Sequence, residues 1–166
     1  MQYDYLSGMG FDVHALEPLN QESFIMIGGV AISAKHKVIA HSDGDVALHA
    51  LVDAMLGAIG AGDIGEHFPP TDMRWKDANS SAFVLHALSL CAEKNAQLVN
   101  IDITLICENP KINPYKAAIR SHVATLLSLS PERVNVKATT TEKLGFLGRC
   151  EGIAAQAIVS IKIPAS

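Results

Sequence analysis

The strongest constraint on this chain is a nearly all-apolar helix with a polar row set into it. Over residues 45–60, Val46, Leu48, Leu51, Val52, Met55, Leu56 and Ile59 recur at spacings of three and four, the period of an α-helix. Asp43 and Asp45 suit its start, where carboxylates meet free backbone N–H groups and the positive end of the helix dipole. Asp45, His49 and Asp53 stand four apart and so share one side. An N-cap run followed by a solvated face would explain such a row, but the apolar positions leave little surface for water. A histidine between two carboxylates on a covered helix therefore points to a site.

The remaining elements can be read around that helix. Residues 6–14 read as a strand in which Gly8 and Gly10 permit close backbone approach, and residues 25–27 and 30–32 flank Gly28-Gly29 as a hairpin. Residues 60–79 form a long Gly- and Pro-bearing loop, and residues 80–95 resume helical spacing after Ser80-Ser81. A half-buried strand over 101–106, a helix over 114–129 with Pro114 in its first turn, and strands over 134–140 and 153–163 complete the order. This order predicts an α+β fold, with a mixed four-stranded sheet, helices packed on one face and an N-terminal hairpin. The 166 residues predict a single domain over 1–166, and 49% hydrophobic content supplies one core and excludes general disorder.

Charge and cysteine usage narrow the partners. Thirteen Lys and Arg against seventeen Asp and Glu leave a net charge of −4, which argues against nucleic-acid binding through a broadly basic surface. Cys91, Cys107 and Cys150 are widely spaced and form no C-x-x-C pair, so neither a disulfide framework nor a cysteine zinc site is expected, and a reducing compartment is. The first residues lack a basic and an apolar signal region, and no stretch reaches 18 apolar residues. A cytoplasmic protein without a membrane span is expected.

Asp12 and His14 stand two apart in a strand and so face the same side. Such a pair occurs in ordinary strands, but His49 offers a third ligand. Asp12, His14 and His49 would make an open Asp-His-His zinc site, with Asp45 or Asp53 orienting an imidazole. Its affinity should fall in acid, because the imidazoles must be neutral. Residues 137–143, KATTTEK, end a strand with hydroxyls for phosphate and with Glu142, a hard oxygen donor suited to Mg²⁺ or Mn²⁺. A hydroxyl-capped strand end is the alternative. Lys111, Lys143 and Arg149 could neutralise phosphate, although each could equally be a surface cation. Cys91 and Cys107 are expected in the core, and His86 and His122 as hydrogen-bonded helix residues. Together these features indicate phosphoryl chemistry on a small substrate.

The motifs resemble, in order and over nearly the whole chain, those of the 2-C-methyl-D-erythritol 2,4-cyclodiphosphate synthase family of the non-mevalonate isoprenoid pathway. They are Gly10-Phe11-Asp12-Val13-His14, His41-Ser42-Asp43-Gly44-Asp45 through His49, Gly62-Asp63-Ile64-Gly65, Pro110-Lys111, Lys137 through Gly145, and Gly148-Arg149. The resemblance implies a homotrimer with the sheet inward and active sites at subunit boundaries. It implies Zn²⁺ on Asp12, His14 and His49, and Mg²⁺ or Mn²⁺ on Glu142 among the substrate phosphates. His41 and Thr140 resemble the transition-state stabilisers. Ser42, Asp63, Ile64 and Gly65, with Phe68 and Asp72 of the following loop, resemble contacts to the methylerythritol phosphate. Cys107, Pro110, Lys111, Ile112, Asn113, Ala138, Thr139 and Thr140 resemble the cytidine diphosphate pocket, and Phe146 and Arg149 resemble residues near the trimer axis.

One departure stands out: the family's F-P-D-T-D is here Phe68-Pro69-Pro70-Thr71-Asp72, and Pro70 is expected to change the stiffness of a lid rather than the chemistry. The implied reaction is cyclisation of 4-diphosphocytidyl-2-C-methyl-D-erythritol 2-phosphate with release of CMP. A zinc phosphohydrolase giving a linear product and a trimeric binding module without turnover are the alternatives.

Overall fold

A computed structural model describes residues 2–165. Its elements are β1 (Tyr3–Ile27), β2 (Val30–Ile39), α1 (Val46–Ala58), α2 (Ile64–His67), α3 (Ser80–Glu93), β3 (Gln97–Ile106), α4 (Lys116–Leu126), β4 (Val134–Thr139), α5 (Gly145–Gly148) and β5 (Gly152–Pro164). The sheet is mixed and five-stranded in the order β2-β1-β5-β3-β4. Only β3 and β4 run parallel, joined by the α4 crossover that a parallel pair requires.

The α+β class and helical face agree with the sequence, but the strand count does not. The hairpin belongs to the sheet, and β1 continues through residues 15–24, to which the sequence assigns no element because Pro18 and a polar run interrupt the alternation. Pro18 is accommodated where the β1–β2 register shifts between Pro18 and Ser23, an irregularity at which a missing N–H costs little. Gly28 and Gly29 close the hairpin with φ of 59° and 76°, the positive pair that a two-residue primed turn requires. The long loop is also partly ordered, into α2 and a 3₁₀ turn at Met73–Trp75.

Of the 13 residues of α1, 11 are buried, so this helix is covered almost all round. It packs on β1, β5 and α3, and it sits directly on the β1 backbone. A Cβ on Gly8 would lie 2.0 Å from the Ala54 carbonyl oxygen, and one on Gly10 would lie 1.9 Å from that of Ala50. Only glycine fits at those separations. Because side chains alternate across a strand, the face of β1 that carries Gly8 and Gly10 also presents Asp12 and His14 to α1. The opposite face of the sheet exposes Tyr5, Met9, Phe11, Val13 and Ile158, an apolar patch left uncovered by the described residues.

Candidate metal centre and active site

The close seat of α1 on β1 brings three ligand types together. Asp12 Oδ2 lies 2.9 Å from His14 Nε2 and 3.1 Å from His49 Nδ1, and the two ring nitrogens are 3.0 Å apart. Among the described residues, only this trio forms a group able to hold a metal ion. Burial alone would raise the Asp12 carboxyl, but its close contact with the two imidazoles outweighs that and holds the pKa down at about 2. One carboxylate and two imidazoles converging on a point form a donor set suited to zinc and leave a further position open. The residues therefore fit the metal.

The remaining polar contacts correct the expected orientation of the imidazole. Neither Asp45 nor Asp53 orients His49. Asp45 is fully buried and accepts from the amides of Gly28, Gly29 and Leu48 at 2.8, 2.7 and 3.0 Å, pinning the hairpin turn to the start of α1. Burial pushes its carboxyl up, against those three hydrogen bonds. Asp53 accepts from Ile64 N at 2.8 Å and ties α1 to the following loop. The partners of His49 Nε2 are instead Ser80 Oγ at 2.8 Å and Ser42 Oγ at 3.2 Å. Ser80 in turn contacts Asp43 Oδ1.

The centre opens into a cavity of about 600 Å³ lined by His14, His41, Ser42, His49, Ile64, Gly65, Phe68, Pro70, Asp72 and Trp75, among others. Phe68 is buried against Trp75, Phe83 and His86, with centroids at 4.9, 4.3 and 5.1 Å. This aromatic stack anchors the loop after α2. Asp63 caps α2 through Glu66 N at 3.0 Å, and Asp72 is engaged by Arg74 at 2.6 Å. His86 is satisfied, meeting His67 at 3.1 Å. His122 departs from expectation, because its buried Nε2 has no partner among the described residues.

A second, smaller cavity of about 210 Å³ is lined by Cys107, Pro110, Lys111, Ile112, Asn113, Ala138, Thr139 and Thr140. Cys107 is core-like as well, and burial pushes its thiol up to about 12; Cys91 is fully buried. In register, Asp12 pairs with Ala155, Ala155 with Leu105, and Leu105 with Ala138. Asp12 of the metal cluster and Ala138 of the smaller cavity thus stand at one level of the sheet, three strand spacings or about 14 Å apart. Thr140 and Glu142 lie beyond β4 and do not join the Asp-His-His trio. Their turn is held by Glu108, whose Oε1 accepts from Thr141 N at 3.2 Å and Lys143 N at 3.1 Å, and Glu142 and Lys143 take positive φ of 54° and 62°. Phe146 is exposed on α5, and Arg149 pairs with Glu151 at 3.0 Å. The sequence assigns Glu108 no role of its own and offers Ser80 only as part of a helix cap, a place that Asn79 takes instead by accepting from Ser81 N at 2.9 Å.

Comparison with known proteins decides the relationship. The YgbB family model matches residues 5–162. The chain belongs to the YgbB family. It is 54% identical over 159 residues to a protein of Xanthomonas axonopodis pv. citri (strain 306) named 2-C-methyl-D-erythritol 2,4-cyclodiphosphate synthase, covering 96% of this chain and 94% of that one. Among solved structures, this YgbB-family chain is similar to IspF of Plasmodium falciparum in its CDP complex, with TM-score 0.84, 35% identity and coverage of 98% of this chain and 97% of the other. It is also similar to the bifunctional IspDF of Campylobacter jejuni, with TM-score 0.91 and 45% identity; 98% of this chain matches 43% of that longer one. No helix among the described residues is long and apolar enough to cross a membrane.

Proposed function

We propose that this chain, as one catalytic domain over residues 1–166, is a metal-dependent 2-C-methyl-D-erythritol 2,4-cyclodiphosphate synthase in isoprenoid precursor biosynthesis. The reading rests above all on the convergence of Asp12, His14 and His49 at a cavity in a chain 54% identical to a protein named for that activity. In the reaction, the 2-phosphate oxygen of 4-diphosphocytidyl-2-C-methyl-D-erythritol 2-phosphate attacks the β-phosphorus. The bond from that phosphorus to the oxygen bridging it to the α-phosphate breaks, and CMP leaves. The attacking phosphate is already ionised near neutrality, with a second pKa of about 6, so no protein nucleophile or strong base is needed.

Charge repulsion is then the obstacle, and the chain's residues are assigned to meeting it. Asp12, His14 and His49 hold Zn²⁺, and Glu142 with the substrate phosphates holds Mg²⁺ or Mn²⁺; both ions supply Lewis-acid stabilisation of phosphate charge. His41 and Thr140 donate hydrogen bonds to the transition state. Ser42, Asp63, Ile64, Gly65, Phe68 and Asp72 bind and orient the methylerythritol phosphate. The smaller cavity, from Cys107 through Pro110, Lys111, Ile112 and Asn113 to Ala138, Thr139 and Thr140, takes the cytidine diphosphate.

Within one chain the two cavities are separate, and the sheet's uncovered face is apolar. Both features support a homotrimer in which the metal-bearing cavity of one subunit meets the nucleotide cavity of another, with Phe146 and Arg149 toward the axis. The negative net charge supports a small-molecule substrate over nucleic acid, and a soluble, cytoplasmic setting completes the reading.

Phosphorus-31 NMR of the protein with the cytidyl substrate, Zn²⁺ and Mg²⁺ tests it. Two coupled signals of a cyclic diphosphate appearing with CMP are expected. Linear phosphates would point to a hydrolase, and unchanged substrate to a binding module.

A further inference from the structure

We infer that Ser80 is a positioning residue which, backed by Asp43, fixes His49 in the one tautomer able to bind metal. This rests on the reading of Asp12, His14 and His49 as the metal centre. The argument is an inventory of protons. A carboxylate can only accept, so the single Ser80 hydroxyl hydrogen goes to Asp43 Oδ1. Ser80 Oγ can then only accept from its other neighbour, His49 Nε2, at 2.8 Å. The ring proton is thereby held on Nε2, and the lone pair on Nδ1 faces Asp12 Oδ2 and His14 Nε2.

The relay is rigid at its far end. Asp43 accepts from Asp45 N at 3.1 Å through Oδ1 and from Ser80 N at 2.9 Å through Oδ2, so the two backbones that start α1 and α3 fix the carboxylate. Ser80 is fully buried, and water does not compete for its hydroxyl. Ser42 Oγ, the other neighbour of Nε2, is farther at 3.2 Å and accepts from Gly44 N at 3.3 Å. It can share the same ring proton without moving it. The helix after the long loop thus supplies a group that acts on the metal centre without touching the metal.

The test reads binding and ring protonation rather than turnover. Zinc affinity of the full-length protein, measured by competition with a chromophoric chelator, should fall about 10- to 100-fold in Ser80→Ala. Ser80→Thr, which keeps the hydroxyl, should recover most of that loss. The thermal midpoint of the metal-free protein should move little in either variant. In the metal-free wild type, nitrogen-15 NMR of the histidine rings should find the His49 proton on Nε2. Zinc affinity in Ser80→Ala within about twofold of wild type would overturn the inference, as would a His49 proton on Nδ1. A wild type that binds no zinc would instead remove the metal-centre reading, while the ring measurement still judges the tautomer independently.

Discussion

The two halves of the proposed site are built in opposite ways. The Asp12, His14 and His49 cluster is a product of the core: its ligands stand on β1 and on a helix buried almost all round, and two glycines set the distance between them. The Thr140–Glu142 segment is a product of a strand end, where an exposed turn with two left-handed residues hangs on one carboxylate, Glu108. A metal centre of the first kind is disturbed by whatever disturbs folding. A ligand of the second kind can be lost while the fold stays intact.

The largest effect expected from this contrast is at Gly10. A methyl group there meets the Ala50 carbonyl oxygen at 1.9 Å, and backbone cannot rotate away as a side chain can. Gly10→Ala should cost about 3 kcal/mol or more, the upper part of the range for overpacking, and should weaken zinc binding at the same time. Urea unfolding and chelator competition on one sample check both. Lost stability with unchanged zinc affinity would separate the cluster from the helix seat and break the comparison.

The next effect is acid lability of the metal-free protein. Asp12 is held at about 2 against an ordinary 3.8. At about 1.4 kcal/mol per tenfold change in proton affinity, this corresponds to about 2 kcal/mol of stability. Because the folded value is the lower one, that stability is present above about pH 4 and lost as pH falls toward 2. Urea midpoints between pH 2 and 5 should fall more steeply in wild type than in Asp12→Asn; parallel curves would count against the pairing.

The same contrast explains what could be read from sequence. The cluster was legible because periodicity placed Asp12 with His14 on one strand face and His49 on a helix too apolar to be solvated. What periodicity could not give was the partner of each carboxylate. Asp45 and Asp53 share the His49 side of the helix, yet the fold directs one to a hairpin turn and the other to a loop amide. Ser80, 31 residues from His49, looked like an ordinary helix start because its role depends on how α3 packs. The hairpin's place in the sheet is hidden for a related reason: residues 16–24 of β1 lie beyond the Ala15–Gly152 pair that ends the contact with β5 and have only β2 beside them, so this end of the sheet carries little of the two-sided burial that marks a strand.

Smaller effects should separate the turn from the core. Glu108→Ala removes the acceptor for Thr141 N and Lys143 N, two hydrogen bonds at a half-buried site. It should cost about 1 kcal/mol of stability, lower the response of turnover to added Mg²⁺, and leave zinc affinity as in wild type. A parallel loss of zinc would show that the turn and the cluster are coupled within one chain.

Glu142→Gln should be the mildest change to the fold and the most selective change to the chemistry. Its side chain is exposed, and Gln keeps the shape and the backbone bond from Glu142 N to Thr140 Oγ1 at 3.2 Å, so stability should stay within about 0.5 kcal/mol of wild type. The amide cannot supply the anionic oxygen that a hard divalent ion prefers, so turnover should fall and lose its dependence on Mg²⁺ or Mn²⁺ while zinc stays bound. Metal titrations of turnover, set beside zinc content, check this. An unchanged Mg²⁺ dependence would leave the second ion to a group other than Glu142. Loss of zinc in this variant would mean that the exposed turn reaches the buried cluster, within a chain or across a subunit boundary.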